Sequence, residues 1–287
     1  MKKSKIYDWP IGLSTGCFYQ TSILDCLKSI QQTGFNLIEI CSYHAHLDYH
    51  DKKFVVRTAS MIQELGMEPY SFHAPFADNI DITSLDSAQQ RIALDEITQA
   101  AEAASILGVA HFVIHPGPEQ DLRLDDDRPK RFENAAKALN VLSKRCEELN
   151  LKLVFENMLP HLSFGQPSDL QWVLGEMHSS NVGVCLDTGH AYLSGEIETV
   201  VQKISGHLTM LHANDNNGNY DDHLPPGEGK IDWPTLLKQV SDSDFHGTLM
   251  LELAGNKDLR RVLANARSGR KYLLEILKQL NTLNHTD

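Results

Sequence analysis

One stretch of the chain carries an unusual density of groups that could do chemistry. "TMLHANDNNGNYDDHLPPGEGKIDW", residues 209–233, opens with four residues typical of a buried strand. The loop that follows contains His212, Asp215, Asp221, Asp222, His223 and Glu228. Imidazoles and carboxylates are metal ligands and acid–base catalysts. A lone histidine at a strand end is more often a hydrogen-bonded structural residue, so the interpretation depends on whether other strands end in the same way.

The same feature recurs along the chain. Short apolar runs predict eight strands, at 11–15, 37–40, 68–73, 110–115, 152–156, 182–187, 208–212 and 248–253. Six of these runs reach a histidine or a carboxylate at their C-terminal end, namely His73, His115, Glu156, Asp187, His212 and Glu252.

The segments between these runs predict the fold. Apolar residues recur at three- and four-residue intervals in segments such as 87–108 and 131–150, which indicates amphipathic helices. Several helices are expected to end at residues that tolerate left-handed backbone, at Gly34, Gly66, Gly108 and Asn150. Eight βα repeats without a linker predict one domain over 1–287, a single (β/α)₈ TIM barrel of the α/β class. A doubly wound open sheet is the structural alternative, but it gives no reason for eight evenly spread strands.

In such a barrel the strand ends meet at one face, where catalytic residues lie. His190 follows Asp187 by three residues in "LDTGHA", and Asp221 and His223 are spaced D-x-H. Imidazole and carboxylate without thiolate suit Zn²⁺, Mn²⁺, Co²⁺ or Fe²⁺. The candidate ligands are His73, His115, Glu156, Asp187, His190, His212, Asp221, His223 and Glu252. Nine exceed the needs of one ion, so two or three ions could be accommodated.

Each of these residues also has a structural interpretation. Asp187 could shape a turn, Asp221 could cap one, and Glu156 and Glu252 could be solvated strand ends. Taken together, these interpretations are disfavoured because converging buried carboxylates repel one another when no cation is present.

Composition limits the class of protein. There are 38 acidic and 26 basic residues, a formal charge of −12, which disfavours polyanionic partners such as DNA. The five cysteines are scattered and never spaced C-x-x-C, which argues against disulfides and thiolate zinc sites. No apolar run is long enough for a membrane span and no signal-peptide core is visible, so we expect a cytoplasmic protein without a membrane partner.

Two other features have open interpretations. Glu228 in "PPGEGK" is either a turn residue or a group that contacts a substrate, and His190 is a second candidate for substrate contact. The histidine-rich segment 43–50, "YHAHLDYH", is either a substrate lid or a solvated loop.

The motifs "SFHAPF", "VIHPG", "VFEN", "CLDTGHA", "LHANDN…DDHLPPGEGKIDW" and "LMLEL" resemble those of the xylose isomerase-like barrel superfamily. The resemblance extends from about Ile11 to Leu253. This superfamily includes sugar phosphate isomerases and epimerases, and also the endonuclease IV type of DNA-repair enzyme.

The resemblance implies two ligand patterns. In endonuclease IV-like proteins a three-zinc cluster is held at positions that match all nine candidate ligands. In ketose epimerases one divalent ion is held at the positions of Glu156, Asp187, His212 and Glu252, and the two glutamates exchange protons with the substrate. Both patterns are complete in this chain, so the ligands alone do not choose between them.

Other segments favour the carbohydrate branch. "DDHLPPGEGKIDW" resembles the loop of sugar isomerases, and "MLPHLSFG" follows Glu156-Asn157 where endonucleases carry an alanine-glycine-rich run. Gly218 stands where ketose 3-epimerases carry an arginine, which argues against a true ketose 3-epimerase. We therefore expect a divalent-metal-dependent isomerase or epimerase of a small carbohydrate or sugar phosphate, working by enediolate proton transfer through Glu156 and Glu252.

Two alternatives stay open at this stage: a zinc-dependent phosphodiesterase acting on abasic DNA, and a non-catalytic metal- or sugar-binding barrel. We expect one to three divalent ions, with zinc first and manganese or cobalt as alternatives. The expected partner is a small-molecule carbohydrate rather than nucleic acid, and the sequence does not determine the oligomeric state.

Overall fold

Eight parallel strands close into a barrel in chain order. The structure is a computed structural model and describes residues 7–77 and 79–283. Each strand pairs with its sequence neighbours, and β1 pairs with β8 to complete the ring. The strands are β1 (Ile11–Ser14), β2 (Leu37–Cys41), β3 (Glu68–His73), β4 (His111–Ile114), β5 (Lys152–Glu156), β6 (Val182–Asp187), β7 (Leu208–Ala213) and β8 (Thr248–Leu251). The predicted (β/α)₈ fold is confirmed.

Helices connect successive strands on the outside of the barrel. They are α1 (Ile23–Gln32), α2 (Lys52–Glu64), α3 (Ser87–Leu107), α4 (Arg128–Glu148), α5 (Pro167–Gly175), α6 (Thr188–Leu193), α7 (Ile197–Ile204), α8 (Trp233–Asp242) and α9 (Leu259–Leu283). The connection after β6 contains two of them, α6 and α7, where the sequence pattern predicts one. No helix in the described part of the chain has the length and apolar character needed to cross a membrane.

The core has two layers. A small cluster fills the inside of the barrel with Val113, Val154, Cys185, Met210 and Met250. A larger apolar layer packs the outer faces of the strands against the helices. Both layers hold the strands rigidly, so the residues at the strand ends have fixed positions.

The predicted boundaries agree with the structure to within a few residues. Gly34, Gly66, Gly108 and Asn150 all have positive φ, as expected for residues that end helices. Helix α4 begins at Arg128 rather than at 131, because Pro129 is well suited to the first turn of a helix. His115 and Glu252 lie one residue beyond their strands, which leaves them at the same barrel face as the other four strand-end residues.

Candidate metal centre

Glu156 lies at the centre of the strand-end residues. Its Oε2 is 3.1 Å from Nε2 of His73 and 3.4 Å from Nε2 of His115. Its Oε1 is 3.2 Å from Nδ1 of His212. The carboxylate therefore connects histidines from β3, β4 and β7, and its two oxygens face different partners.

A second group of potential ligands shares Glu156. Single ligand atoms of Glu156, Asp187, His212 and Glu252 all lie within 4.8 Å of one another. Asp187 and His212 are fully buried, whereas Glu252 keeps 20% of its side chain exposed. Nδ1 of His212 is 3.1 Å from Oε2 of Glu252, so both glutamates approach the same imidazole nitrogen.

The third group consists of His190, Asp221 and His223. Oδ2 of Asp221 is 3.3 Å from Nε2 of His190 and 3.0 Å from Nε2 of His223. The D-x-H spacing brings Asp221 and His223 to one point because His223 adopts a left-handed backbone conformation, with φ of 46°. The structure thus brings all nine predicted ligands to the barrel mouth.

Five histidines belong to the candidate ligands. In three of them the ring nitrogen that faces away from the other ligands donates its N–H to a backbone carbonyl. Such a bond fixes the tautomer and leaves the lone pair of the other nitrogen available to a metal. Nδ1 forms this bond in each case, from His73 to Ala74 at 2.9 Å, from His190 to Asn157 at 2.9 Å and from His223 to Glu252 at 3.1 Å.

In the other two histidines, the corresponding ring nitrogen lies next to a carboxylate. Nδ1 of His115 is 3.3 Å from Oε1 of Glu119. Nε2 of His212 donates to Oε2 of Glu39 at 3.1 Å. Carboxylate–histidine pairs of this kind orient metal ligands and increase their basicity.

Glu39 is a residue of the candidate site that sequence reasoning missed. It lies within β2, is fully buried, and also accepts hydrogen bonds from the hydroxyls of Ser14 and Ser71. A charged residue inside the apolar run "LIEI" was the available signal, because a carboxylate is rarely buried without a partner.

Asp187 is oriented by the turn that joins β6 to α6. Its Oδ1 accepts the backbone N–H of His190 at 2.7 Å, and its Oδ2 accepts Nδ2 of Asn214 at 2.6 Å. Burial raises the pKa of Asp187 to about 6. Gly189 lies in the first turn of α6, where a Cβ would come within 2.1 Å of Oδ1 of Asn214.

The charges of the site favour cations. Burial alone would lower the pKa of His115, but the neighbouring carboxylates of Glu119 and Glu156 raise it to about 10. His223 behaves in the same way, since Asp221 and Glu252 outweigh burial and raise its pKa to about 10. The surrounding carboxylates therefore stabilise positive charge at the barrel mouth.

The donor set fits a divalent metal. Within the described residues, Nδ1 of His212 and Oε2 of Glu252 are buried without a hydrogen-bond partner, although they lie only 3.1 Å apart. A buried polar atom without a hydrogen-bond partner calls for an explanation, and a bound ion is one such explanation. Imidazole nitrogen and carboxylate oxygen are the ligands expected for Zn²⁺ and similar ions.

A cavity of about 320 Å³ opens above the ligands. Its upper wall contains Tyr19, Tyr43, Phe76 and Leu159. The rings of Tyr19 and Tyr43 are 5.3 Å apart, and those of Tyr43 and Phe76 are 5.7 Å apart. No lysine or arginine lines this cavity among the residues that the structure describes.

Two acidic residues of the segment 209–233 lie outside the ligand groups. Asp215 is buried and stabilises the loop by accepting the indole N–H of Trp233 at 2.9 Å and the backbone N–H of Ile231 at 3.1 Å. Glu228 is exposed, and its backbone N–H closes a turn onto the carbonyl of Pro225. The side chain of Glu228 does not line the cavity, and its contact with a substrate stays a prediction.

Fold and site together define a barrel with a metal-ligand cluster at its C-terminal mouth. Residues 27–279 match the model of the family described as xylose isomerase-like TIM barrel. The chain belongs to this family.

Relatives with similar sequences include both uncharacterized and named proteins. The uncharacterized protein MJ1311 of Methanocaldococcus jannaschii is 27% identical over 279 residues, which cover 95% of this chain and 92% of the relative. A probable endonuclease 4 of Aster yellows witches'-broom phytoplasma is 24% identical, over 73% of each chain.

Solved structures show the same fold. A D-tagatose 3-epimerase-like protein has a TM-score of 0.82 at 24% identity, covering 95% of this chain and 98% of its own. The IOLI protein with a bound zinc atom has a TM-score of 0.77 at 18% identity, covering 94% of this chain and 99% of its own. Many members of this superfamily are enzymes, and the similarity at these identities establishes the fold of this chain.

Proposed function

We propose that this protein is a divalent-metal-dependent isomerase or epimerase of a small carbohydrate. One observation carries the proposal: Glu156 and Glu252, from strands on different sides of the barrel mouth, converge on the same nitrogen of His212 at 3.2 and 3.1 Å. Both glutamates also line the cavity. A substrate in that cavity would have a carboxylate available on each side.

Two opposed carboxylates are suited to proton transfer at carbon. One glutamate takes the proton next to the substrate carbonyl, and the other returns a proton to the opposite face or to the adjacent carbon. A bound divalent ion would polarise the carbonyl and the neighbouring hydroxyl and stabilise the negative charge that develops. A substrate bound against the aromatic wall would displace water from the cavity, which would strengthen these electrostatic effects.

The cavity lining supports an uncharged substrate. Its volume of about 320 Å³ is at the small end of the range for ligand pockets, as a monosaccharide requires. The rings of Tyr19, Tyr43 and Phe76 offer apolar faces, and among the residues that the structure describes the cavity has no lysine or arginine to bind a phosphate group. We therefore favour a free sugar or polyol over a sugar phosphate, with no nucleic-acid partner.

A second candidate is a metal-dependent phosphodiesterase acting on abasic DNA. The observation in its favour is that the outer group His190, Asp221 and His223 is assembled alongside the central one. Proton transfer between Glu156 and Glu252 does not need this outer group, and some relatives are named probable endonucleases. The net charge of −12 weighs against a DNA substrate.

A parallel assay separates the candidates. The metal-loaded protein is incubated with a panel of free ketoses and, separately, with a duplex that contains one abasic site. The proposal predicts sugar conversion that is lost in Glu252→Gln and largely kept in Asp221→Asn. Cleavage of the duplex that is lost in Asp221→Asn, without conversion of any sugar, would instead support the phosphodiesterase. Metal binding with neither activity would support a non-catalytic barrel.

A further inference from the structure

A second cluster of potential metal ligands lies in the loop after β2, away from the barrel-mouth centre. His44, Asp48 and His50 each place one ligand atom within 4.8 Å of the others. All three are at least partly exposed, with side-chain exposures of 79%, 37% and 42%. None of them lines the cavity described above. We propose that these residues form a peripheral site for a transition-metal dication of the zinc class.

The two distances from the histidines to Asp48 match the geometry of a zinc site. Nδ1 of His44 and Nδ1 of His50 are each 3.5 Å from Oδ1 of Asp48. This separation is long for a hydrogen bond. It is close to the ligand–ligand distance of about 3.4 Å that a tetrahedral ion with bonds of about 2.1 Å requires. Two imidazoles and one carboxylate leave a fourth position for water.

A carboxylate outside the cluster orients one of the ligands. Nε2 of His50 is 3.0 Å from Oε1 of Glu96 in α3. When Nε2 carries the proton, Nδ1 presents its lone pair toward Asp48, which is the arrangement that metal-bound histidines commonly show. Glu96 is itself held by the hydroxyl of Tyr49, a residue whose side chain is largely buried.

Backbone contacts add to this preorganisation. Oδ1 of Asp48 accepts the backbone N–H of His50 at 3.1 Å, which fixes the carboxylate beside the imidazole. The ring of Tyr49 lies 4.3 Å from that of His50. His50 and Asp48 are therefore positioned in advance, and His44 is the ligand that must be ordered on binding.

The site would restrain the rim of the cavity. Tyr43 precedes His44 directly and contacts the rings of Tyr19 and Phe76 in the cavity wall. An ion that joins position 44 to position 50 closes a short loop next to this wall. The segment 43–50 would then be a metal-stabilised loop, which differs from both sequence-based interpretations of it.

Zinc titration of the full chain tests the proposal. Bound Zn²⁺ is counted by equilibrium dialysis across a series of free Zn²⁺ concentrations, for the wild type and for His50→Gln and Asp48→Asn. Each variant should bind one ion fewer at saturation and keep the ions of the barrel mouth. Glu96→Gln should keep the stoichiometry and weaken the peripheral site by about 10- to 100-fold.

His246→Gln provides the matched control. His246 is an exposed histidine whose Nε2 lies 3.3 Å from Asp244, with no third ligand in the groups described, so its loss should leave the stoichiometry unchanged. Equal zinc stoichiometry in the wild type, His50→Gln and Asp48→Asn at every free concentration would overturn the proposal. This outcome is independent of sugar conversion, so it leaves the proposed function untouched.

Discussion

At the residue scale, Glu39 determines which nitrogen of His212 faces the metal-ligand centre. Its carboxylate accepts the Nε2 proton, and Nδ1 is left within 3.2 Å of Glu156 and Glu252. Two serine hydroxyls donate to Glu39, so its own orientation is fixed. The buried dyad of Glu39 and His212 is therefore a positioning device for the central ligand group.

Replacing Glu39 tests this role. Glu39→Gln keeps the size of the side chain but removes the charge that increases the basicity of His212. We expect the affinity of the central site for Zn²⁺ to fall by about 10- to 100-fold, as measured by competition with a chelator. Glu68→Gln, on the exposed start of β3, is the control and should bind zinc like the wild type. Equal affinities in all three proteins would show that Glu39 has only a packing role.

The convergence of the nine candidate ligands at the barrel mouth could be predicted from sequence, whereas Glu39 could not be assigned a role. Each candidate ligand lies at a strand end or in the segment that directly follows a strand, where parallel strands converge. Glu39 lies inside a strand, and its contact with His212 joins residues 173 positions apart. Local pattern indicates that a buried carboxylate needs a partner, but it does not say which one.

At the element scale, the turn between β6 and α6 positions Asp187 through close packing. Gly189 allows Asn214 to approach and donate to Asp187. Gly189→Ala would place a methyl group 2.1 Å from Oδ1 of Asn214, so this side chain must move. We expect weaker metal binding at the central group and a loss of about 1–3 kcal/mol in the free energy of unfolding.

Metal content and the free energy of unfolding from chemical denaturation are measured for Gly189→Ala. Gly175→Ala in α5 is the control. A Cβ at Gly175 meets no heavy atom within 4 Å, so this variant should retain both metal and stability. Wild-type metal affinity in Gly189→Ala would contradict the positioning role of the turn.

His46, in the loop after β2, makes the free energy of unfolding depend on pH. Nδ1 of His46 donates to the carbonyl of Thr21 at 2.6 Å, and burial lowers the pKa of His46 from 6.5 to about 4. Between these values the unfolded chain binds a proton that the folded chain does not. The neutral His46 therefore contributes fully to the free energy of unfolding above pH 6.5. This contribution decreases as the pH falls toward 4, by up to about 3 kcal/mol.

Denaturation of chelator-treated protein at several pH values measures this effect. His46→Gln keeps a donor for Thr21 but does not titrate, so its stability should fall less than that of the wild type from pH 6.5 to 4. The histidines of the barrel mouth are common to both proteins and cancel in the comparison. Parallel stability profiles would show that His46 is not the titrating group.

The sequence pattern predicts the strands of the barrel better than the helices around it. All eight strands were identifiable because their apolar runs are bounded by helix-ending residues such as Gly66 and Gly108. The two helices after β6 were not, because Gly195 ends one short helix with φ of 75° and the next begins two residues later. The role of Asp215 was also hidden, since its partner Trp233 is reached only when the loop folds back.

At the scale of the whole molecule, two of the three ligand groups merge because they share Glu156 and His212. Sharing a ligand requires the barrel to be closed, so it could not be predicted from spacing along the chain. The arrangement also concentrates buried carboxylates, whose repulsion a bound cation would relieve. Metal binding should therefore stabilise the fold.

Metal removal tests this link between site and fold. At a ligand concentration of about 100 times Kd, binding stabilises the native state by about 2.7 kcal/mol per site. For a chain of 287 residues we expect chelation to lower the Tm by about 4–5 °C per site lost. Asp187→Ala should have the low Tm with or without zinc, whereas His223→Ala should keep most of the zinc effect. A Tm that does not respond to zinc in the wild type would contradict the assignment.

The central claim is that Glu156 and Glu252 transfer a proton at carbon, and turnover in heavy water tests it most directly. The wild type should introduce solvent deuterium at the reacting carbon of the converted sugar. Glu156→Gln and Glu252→Gln should each slow this exchange by about 10²-fold or more, whereas the exposed control Glu228→Gln should not. Sugar conversion that proceeds without solvent deuterium, at rates unaffected by either glutamine, would contradict the claim.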